Sequence, residues 1–136
     1  VGMHDTIFGK IIRGELPATK VYEDDQFLAF LDINPVTKGH TLLIPKTPYG
    51  RIQHVPDENL ADLFIQAKKL IVHMIQGLGC DYVQLEVVGK DVPDHFHIHL
   101  IPRKNSEPVE EHIHTMYESI DELRLFAERI KNDLQK

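Results

Sequence analysis

His95, His97 and His99 alternate with Phe96, Ile98 and Leu100 in the ten-residue run from Asp94 to Arg103. In a β-strand successive side chains point to opposite faces, so the three imidazoles share one face and the three apolar side chains share the other. Same-face neighbours along a strand stand roughly 6.5–7 Å apart. Three charged rings at that spacing would repel one another, so at least some are neutral at pH 7, each with a free acceptor nitrogen. A neutral imidazole ligates metals, moves protons or acts as a nucleophile.

Two chemistries fit the row. A His-x-His pair with one further ligand can hold zinc with an open position. Gly89, followed by five residues and then His95-x-His97, imitates the opening of a cupin metal motif, but Leu100, Ile101 and Pro102 stand where that motif needs a glutamate. His112 and His114 could add ligands, yet they fall in a polar tail that reads as a solvated loop. The other chemistry is attack on phosphorus, with a middle histidine oriented by one neighbour while another meets the phosphate and the leaving group.

The rest of the chain must position these rings. Its 136 residues, 42% hydrophobic and 26% charged, suit one domain with one core. The formal net charge of −6 argues against a broad footprint for nucleic acid or an anionic membrane, so anionic ligands must be held locally. There is no long apolar run and no signal-peptide layout, which gives a soluble chain and cytoplasm as the expected location. The single cysteine, Cys80, rules out an intrachain disulfide framework and a Cys-rich zinc site. Val1-Gly2 before Met3 reads as an expression remnant.

Thr6 to Arg13 carries Ile7, Phe8, Ile11 and Ile12 at helical spacing, and Gly14 can end that helix. Val21 to Glu23 and Phe27 to Ile33 read as strands joined at Asp24-Asp25, and His40 to Pro45 reads as a third. After irregular residues 48–56, Leu60, Leu63, Phe64, Ala67, Leu70, Ile71, Met74 and Ile75 keep a helical period up to Gly77 and Gly79, with Asp57 able to cap the first turn. Tyr82 to Val88 and the histidine run complete five strands. Ser119 to Glu122 is a capping box opening a last helix with Leu123, Phe126, Ile130 and Leu134 on one stripe. The predicted class is α+β: a five-stranded antiparallel sheet, a short N-terminal helix, a long helix after the third strand, and a C-terminal helix. Residues 1–105 form the domain; 106–136 form an extension with a helix at about 120–134, packed on the same domain or on a partner subunit.

The run His95 to Ile101 matches the His-φ-His-φ-His-φ-φ signature of the histidine triad (HIT) superfamily, and Pro102-Arg103 often follows it there. Residues 5–18 resemble the family's opening helix, and Phe27 to Pro35 with Gly39 to Lys46 resemble its first hairpins. The resemblance implies that His97 is the nucleophile. It would attack the α-phosphorus of a nucleoside phosphoramidate, acyl nucleotide or dinucleoside polyphosphate and form a nucleotidyl-histidine that water cleaves. His99 would contact phosphate and help protonate the leaving group, His95 would orient His97 through the other nitrogen of the attacking ring, and His40 would extend the relay. Phe8, Ile11, Phe30 and Ile33 resemble residues of a purine pocket, and Asp32 resembles the acidic residue that binds the ribose hydroxyls. Gly89 and Val92 would add nucleotide contacts in the segment before the triad.

No cofactor is implied, and dimerisation through the long helix and a core strand is expected from the family. Val87 to Asp94 departs from the family pattern, being shorter and lacking its asparagine and serine. Where some relatives carry zinc-binding cysteines and a histidine, this chain has Thr6, Gly9, Pro48 and Tyr49, so no structural zinc is expected. A nucleotide-binding module with little catalysis is the competing class, and a metal-dependent hydrolase the third.

Overall fold

The computed structural model describes residues 6–88, 95–108 and 114–136. In chain order the elements are α1 (Ile7–Ile12), β1 (Lys20–Glu23), β2 (Phe27–Leu31), β3 (Thr41–Pro45), α2 (Asp57–Leu78), β4 (Tyr82–Glu86), β5 (Ile98–Arg103) and α3 (Ile120–Leu134), with one 3-10 turn at Ile52–His54. The strands form one antiparallel sheet in the order β1-β2-β3-β5-β4. This is the α+β arrangement that the periodicities predict.

Every residue of β2 and β3 is buried, because both faces of the sheet centre are covered. Phe27, Ala29, Leu31 and Leu43 face α2 and α3 within the main core, which also takes Ile98 and Leu100. Leu28, Phe30, Leu42 and Ile44 face the other way and meet Phe8 and Ile11 of α1. Thr6 Oγ1 caps that short helix by accepting from Gly9 N–H at 3.1 Å.

One boundary of the long helix shifts and the other falls at the glycines that mark it. Pro56 is the N-cap of α2 and makes no side-chain cap bond, so Asp57 sits inside the first turn instead of capping it, where its charge still complements the helix dipole. Gly79, at φ 70°, ends α2 in the left-handed conformation that glycine adopts without penalty.

The C-terminal helix lies on α2. Arg129 donates from Nε to Gly77 C=O at 3.1 Å and from Nη2 to Leu78 C=O at 2.7 Å, capping the end of the long helix. A Cβ on Gly77 would stand 2.5 Å from Arg129 C=O, so glycine permits this approach. His73 Nδ1 meets the buried Asp133 Oδ2 at 2.8 Å across the same interface. Ser119 Oγ caps α3 by accepting from Glu122 N–H at 3.0 Å; the Glu122 side chain reaches back to Glu118 N–H at 2.8 Å, one residue before the position of an ideal capping box. Among the described residues no helix is long and apolar enough to cross a membrane.

Candidate functional site

The histidine run is less regular than a strand. β5 begins only at Ile98, so His95 and His97 precede it. Phe96 N–H donates to Tyr49 C=O at 2.6 Å, away from the ladder, and the His95 carbonyl is taken by the His97 ring. The alternation nevertheless persists. Phe96 and Ile98 enter the helix-side core, whereas the His97 and His99 rings lie 4.9 Å apart on the opposite face.

His97 Nδ1 lies 2.9 Å from the His95 carbonyl oxygen. A carbonyl only accepts, so Nδ1 carries the proton and Nε2 of the neutral ring keeps its lone pair. Burial, the largest influence on this ring, lowers its pKa from the ordinary imidazole value and favours that neutral form, partly opposed by the bond to His95 and by the Asp32 charge. Phe8 packs edge-on against His97 at 5.1 Å and against His95 at 5.9 Å. The orienting contact on His97 comes from the main-chain carbonyl of His95, not from its imidazole. The ring's own Nε2 is 2.8 Å from Pro45 C=O, which ties the segment to the end of β3.

His40 likewise belongs with His99, not with the other two rings. Asp32 N–H donates to His40 C=O at 2.9 Å and closes the β2–β3 loop, placing both side chains at one end of the row. Val36 N–H donates to His40 Nδ1 at 3.1 Å, and His40 Nε2 lies 3.0 Å from His99 Nδ1. A backbone amide can only donate, so the neutral His40 ring carries its proton on Nε2 and gives it to His99 Nδ1. A neutral His99 then carries its proton on Nε2.

Asp32, His40 and His99 each bring one donor atom to a group within 4.8 Å, the closest approach to a metal site among the described residues. The tautomer does not suit a cation. Nε2 of His40 holds a proton, and moving that proton to Nδ1 would set it against Val36 N–H.

Beside the histidines, a cavity of about 390 Å³ opens between α1 and β2. Phe8, Ile11, Phe30 and Ile33, the residues singled out for a purine pocket, line it together with Ile7 and Leu42, which the sequence did not single out for a site. Ile7 has the helical spacing of its neighbours but is 61% exposed at the mouth, so a search for core positions passes over it. Among the described residues, Asp32 is the one charged group in its lining. Burial, the largest influence on its carboxyl, pushes its pKa up, partly opposed by Asn34 N–H, which donates to Oδ1 at 2.9 Å. An apolar slot with a carboxylate at one end suits a flat ring attached to a polyhydroxyl group.

From His114 onward the tail is bonded to the β2–β3 loop. His114 Nδ1 meets Asn34 C=O at 2.6 Å, Thr115 N–H donates to Pro35 C=O at 2.8 Å, and Gly39 N–H donates to Tyr117 Oη at 2.9 Å. No periodicity marks this strap, because its partners lie some 80 residues away. The predicted contacts Gly89 and Val92, together with His112, lie outside the described residues.

Comparisons agree with this geometry. The HIT domain family model matches residues 13–106. An uncharacterized HIT-like protein of Methanocaldococcus jannaschii is 48% identical over 102 residues, covering 71% of this chain and 78% of that protein. The adenosine 5'-monophosphoramidase of Candida albicans is 36% identical over 107 residues, covering 73% of this chain and 70% of the enzyme. Among solved structures, a Hit-like protein of Bartonella henselae described as involved in cell-cycle regulation superposes with a TM-score of 0.84 at 29% identity, covering 96% of each chain.

Proposed function

The chain belongs to the HIT family, and on that footing we propose that it is a purine-nucleotide hydrolase or transferase cleaving a bond to the α-phosphate. The observation that carries this reading is the His97 ring, anchored through Nδ1–H to its own chain so that Nε2 presents a lone pair. In this mechanism the base enters the slot between Phe8 and Phe30, the ribose hydroxyls reach Asp32, and the α-phosphate lies at His97. His97 Nε2 forms a bond to phosphorus while the bond from phosphorus to the leaving amine, acyl or phosphate group breaks. His99 donates a hydrogen bond from Nε2–H to the phosphate and the departing group, which takes its proton from solvent; in the second step water attacks phosphorus, the bond from phosphorus to His97 Nε2 breaks, and the water's proton passes to solvent, which releases the nucleotide and restores His97. His40 holds His99 in the donating tautomer and acts as a positioning residue.

The branch named by the Candida relative makes a nucleoside 5'-phosphoramidate the first substrate to test, followed by acyl nucleotides and dinucleoside polyphosphates. Dimerisation is part of this reading. β4 is an edge strand, and Ile65 and Val72 of α2 with Leu85 of β4 are apolar yet 51%, 46% and 39% exposed. Turnover of adenosine 5'-phosphoramidate and diadenosine polyphosphate by wild type and His97→Ala tests the mechanism. The expected loss is at least about 10³-fold in kcat with AMP binding retained. Equal turnover by the two proteins would remove His97 from the chemistry, and AMP binding without product from either substrate would make the chain a binding module.

A further inference from the structure

His114 lies beyond the residues matched by the family model, yet it reaches the rim of the site. Its ring and the Asp32 carboxylate are held by the same residue: Asn34 donates its N–H to Asp32 Oδ1 at 2.9 Å and accepts from His114 Nδ1 at 2.6 Å. Two further bonds fix the strap there, from Thr115 N–H to Pro35 C=O and from Gly39 N–H to Tyr117 Oη. The side chain is solvent-exposed, so no packing role accounts for its placement.

With Nδ1–H committed to a carbonyl, the neutral ring offers Nε2 as an acceptor. Asp32 has already committed Oδ1 to Asn34 N–H, and its Oδ2 faces His40 Nε2 at 3.8 Å, so the carboxylate does not serve a ligand alone. A ribose brings two vicinal hydroxyls, each a donor. Two acceptors on separate side chains match that pair better than one carboxylate with an oxygen already engaged.

We propose that His114 is a second ribose-binding residue, its Nε2 accepting one of the two vicinal hydroxyls of a ribonucleotide while Asp32 accepts the other. The inference rests on the nucleotide reading above and adds to it that residues of the C-terminal extension set preference for the sugar.

The test is steady-state turnover by the full chain, wild type and His114→Ala, on adenosine 5'-phosphoramidate and on its 2',3'-dideoxy analogue. The expected result is a rise of about 5- to 10-fold in KM for the ribose substrate with kcat unchanged, no KM change for the dideoxy substrate, and partial recovery in His114→Gln. The same KM shift on both substrates would mean that His114 only holds the strap, and no shift on either would mean that it makes no contact; both overturn the proposal. A wild-type protein that neither turns over these substrates nor binds AMP overturns the nucleotide reading itself, and this inference with it.

Discussion

The two faces of the sheet are made by the same strands and built on opposite terms. On the helix side, Leu63, Ala67, Leu70 and Met74 of α2 meet Ala29, Leu43, Ile98 and Leu100, all with 0% exposure. Any apolar shape that fills that space would serve. On the other side, α1 covers only Leu28, Phe30, Leu42 and Ile44, and the remaining area carries His97, His99, His40 and Asp32. There the ring nitrogens of His97 and His40 meet named partners: a carbonyl, an amide or another ring. Apolar packing is thus concentrated on one face and titratable side chains on the other, with β3 and β5 as the shared wall.

That division can be broken or sharpened by substitution. The largest stability effect should come from Leu70→Ala, which empties a fully buried position under the sheet. Urea unfolding should show a loss of about 2–5 kcal/mol, while kcat and KM of the folded fraction stay at wild-type values. A large change in either constant would mean that the faces are coupled. Gly77→Ala should follow at about 1–3 kcal/mol, because the new Cβ would meet the Arg129 main chain and the gain in helix propensity is smaller than that strain. The α2–α3 contact should loosen first, visible as faster amide exchange in α3.

The smallest effect is one of pH. Burial lowers the His97 pKa, so the acid limb of kcat/KM should lie below the ordinary imidazole value of about 6.5. In stability the sign follows from proton uptake. Between the lowered native pKa and the unfolded value, the unfolded chain binds the proton and the native chain does not, so stability falls on acidification through that window. Asp32 works in the opposite sense, since its raised native pKa means that its contribution falls as pH rises from the ordinary carboxylate value through the raised one. Comparing urea midpoints of wild type and His97→Ala at about pH 7 and about pH 5 isolates the histidine contribution, which should vanish in the variant.

The fold was legible because its elements are written in short-range patterns. The helical period from Leu60 to Ile75, the alternation around Ile98 and the Ser119 cap each depend on residues close in sequence. The cavity residues Phe8, Ile11, Phe30 and Asp32 were readable through the resemblance to the family. What escaped is main-chain chemistry and long-range docking. The carbonyl of His95 that anchors His97, and the amide of Val36 that assigns the His40 tautomer, have no side-chain signature. His114 looks like any histidine in a polar stretch until the strap is laid along residues 34–39.

The Val36 amide also gives the row a direction. A peptide N–H only donates, so His40 must accept on Nδ1 and donate from Nε2, and a neutral His99 must then do the same. The amide and the two imidazoles therefore line up head to tail, and their dipoles reinforce one another along a single direction.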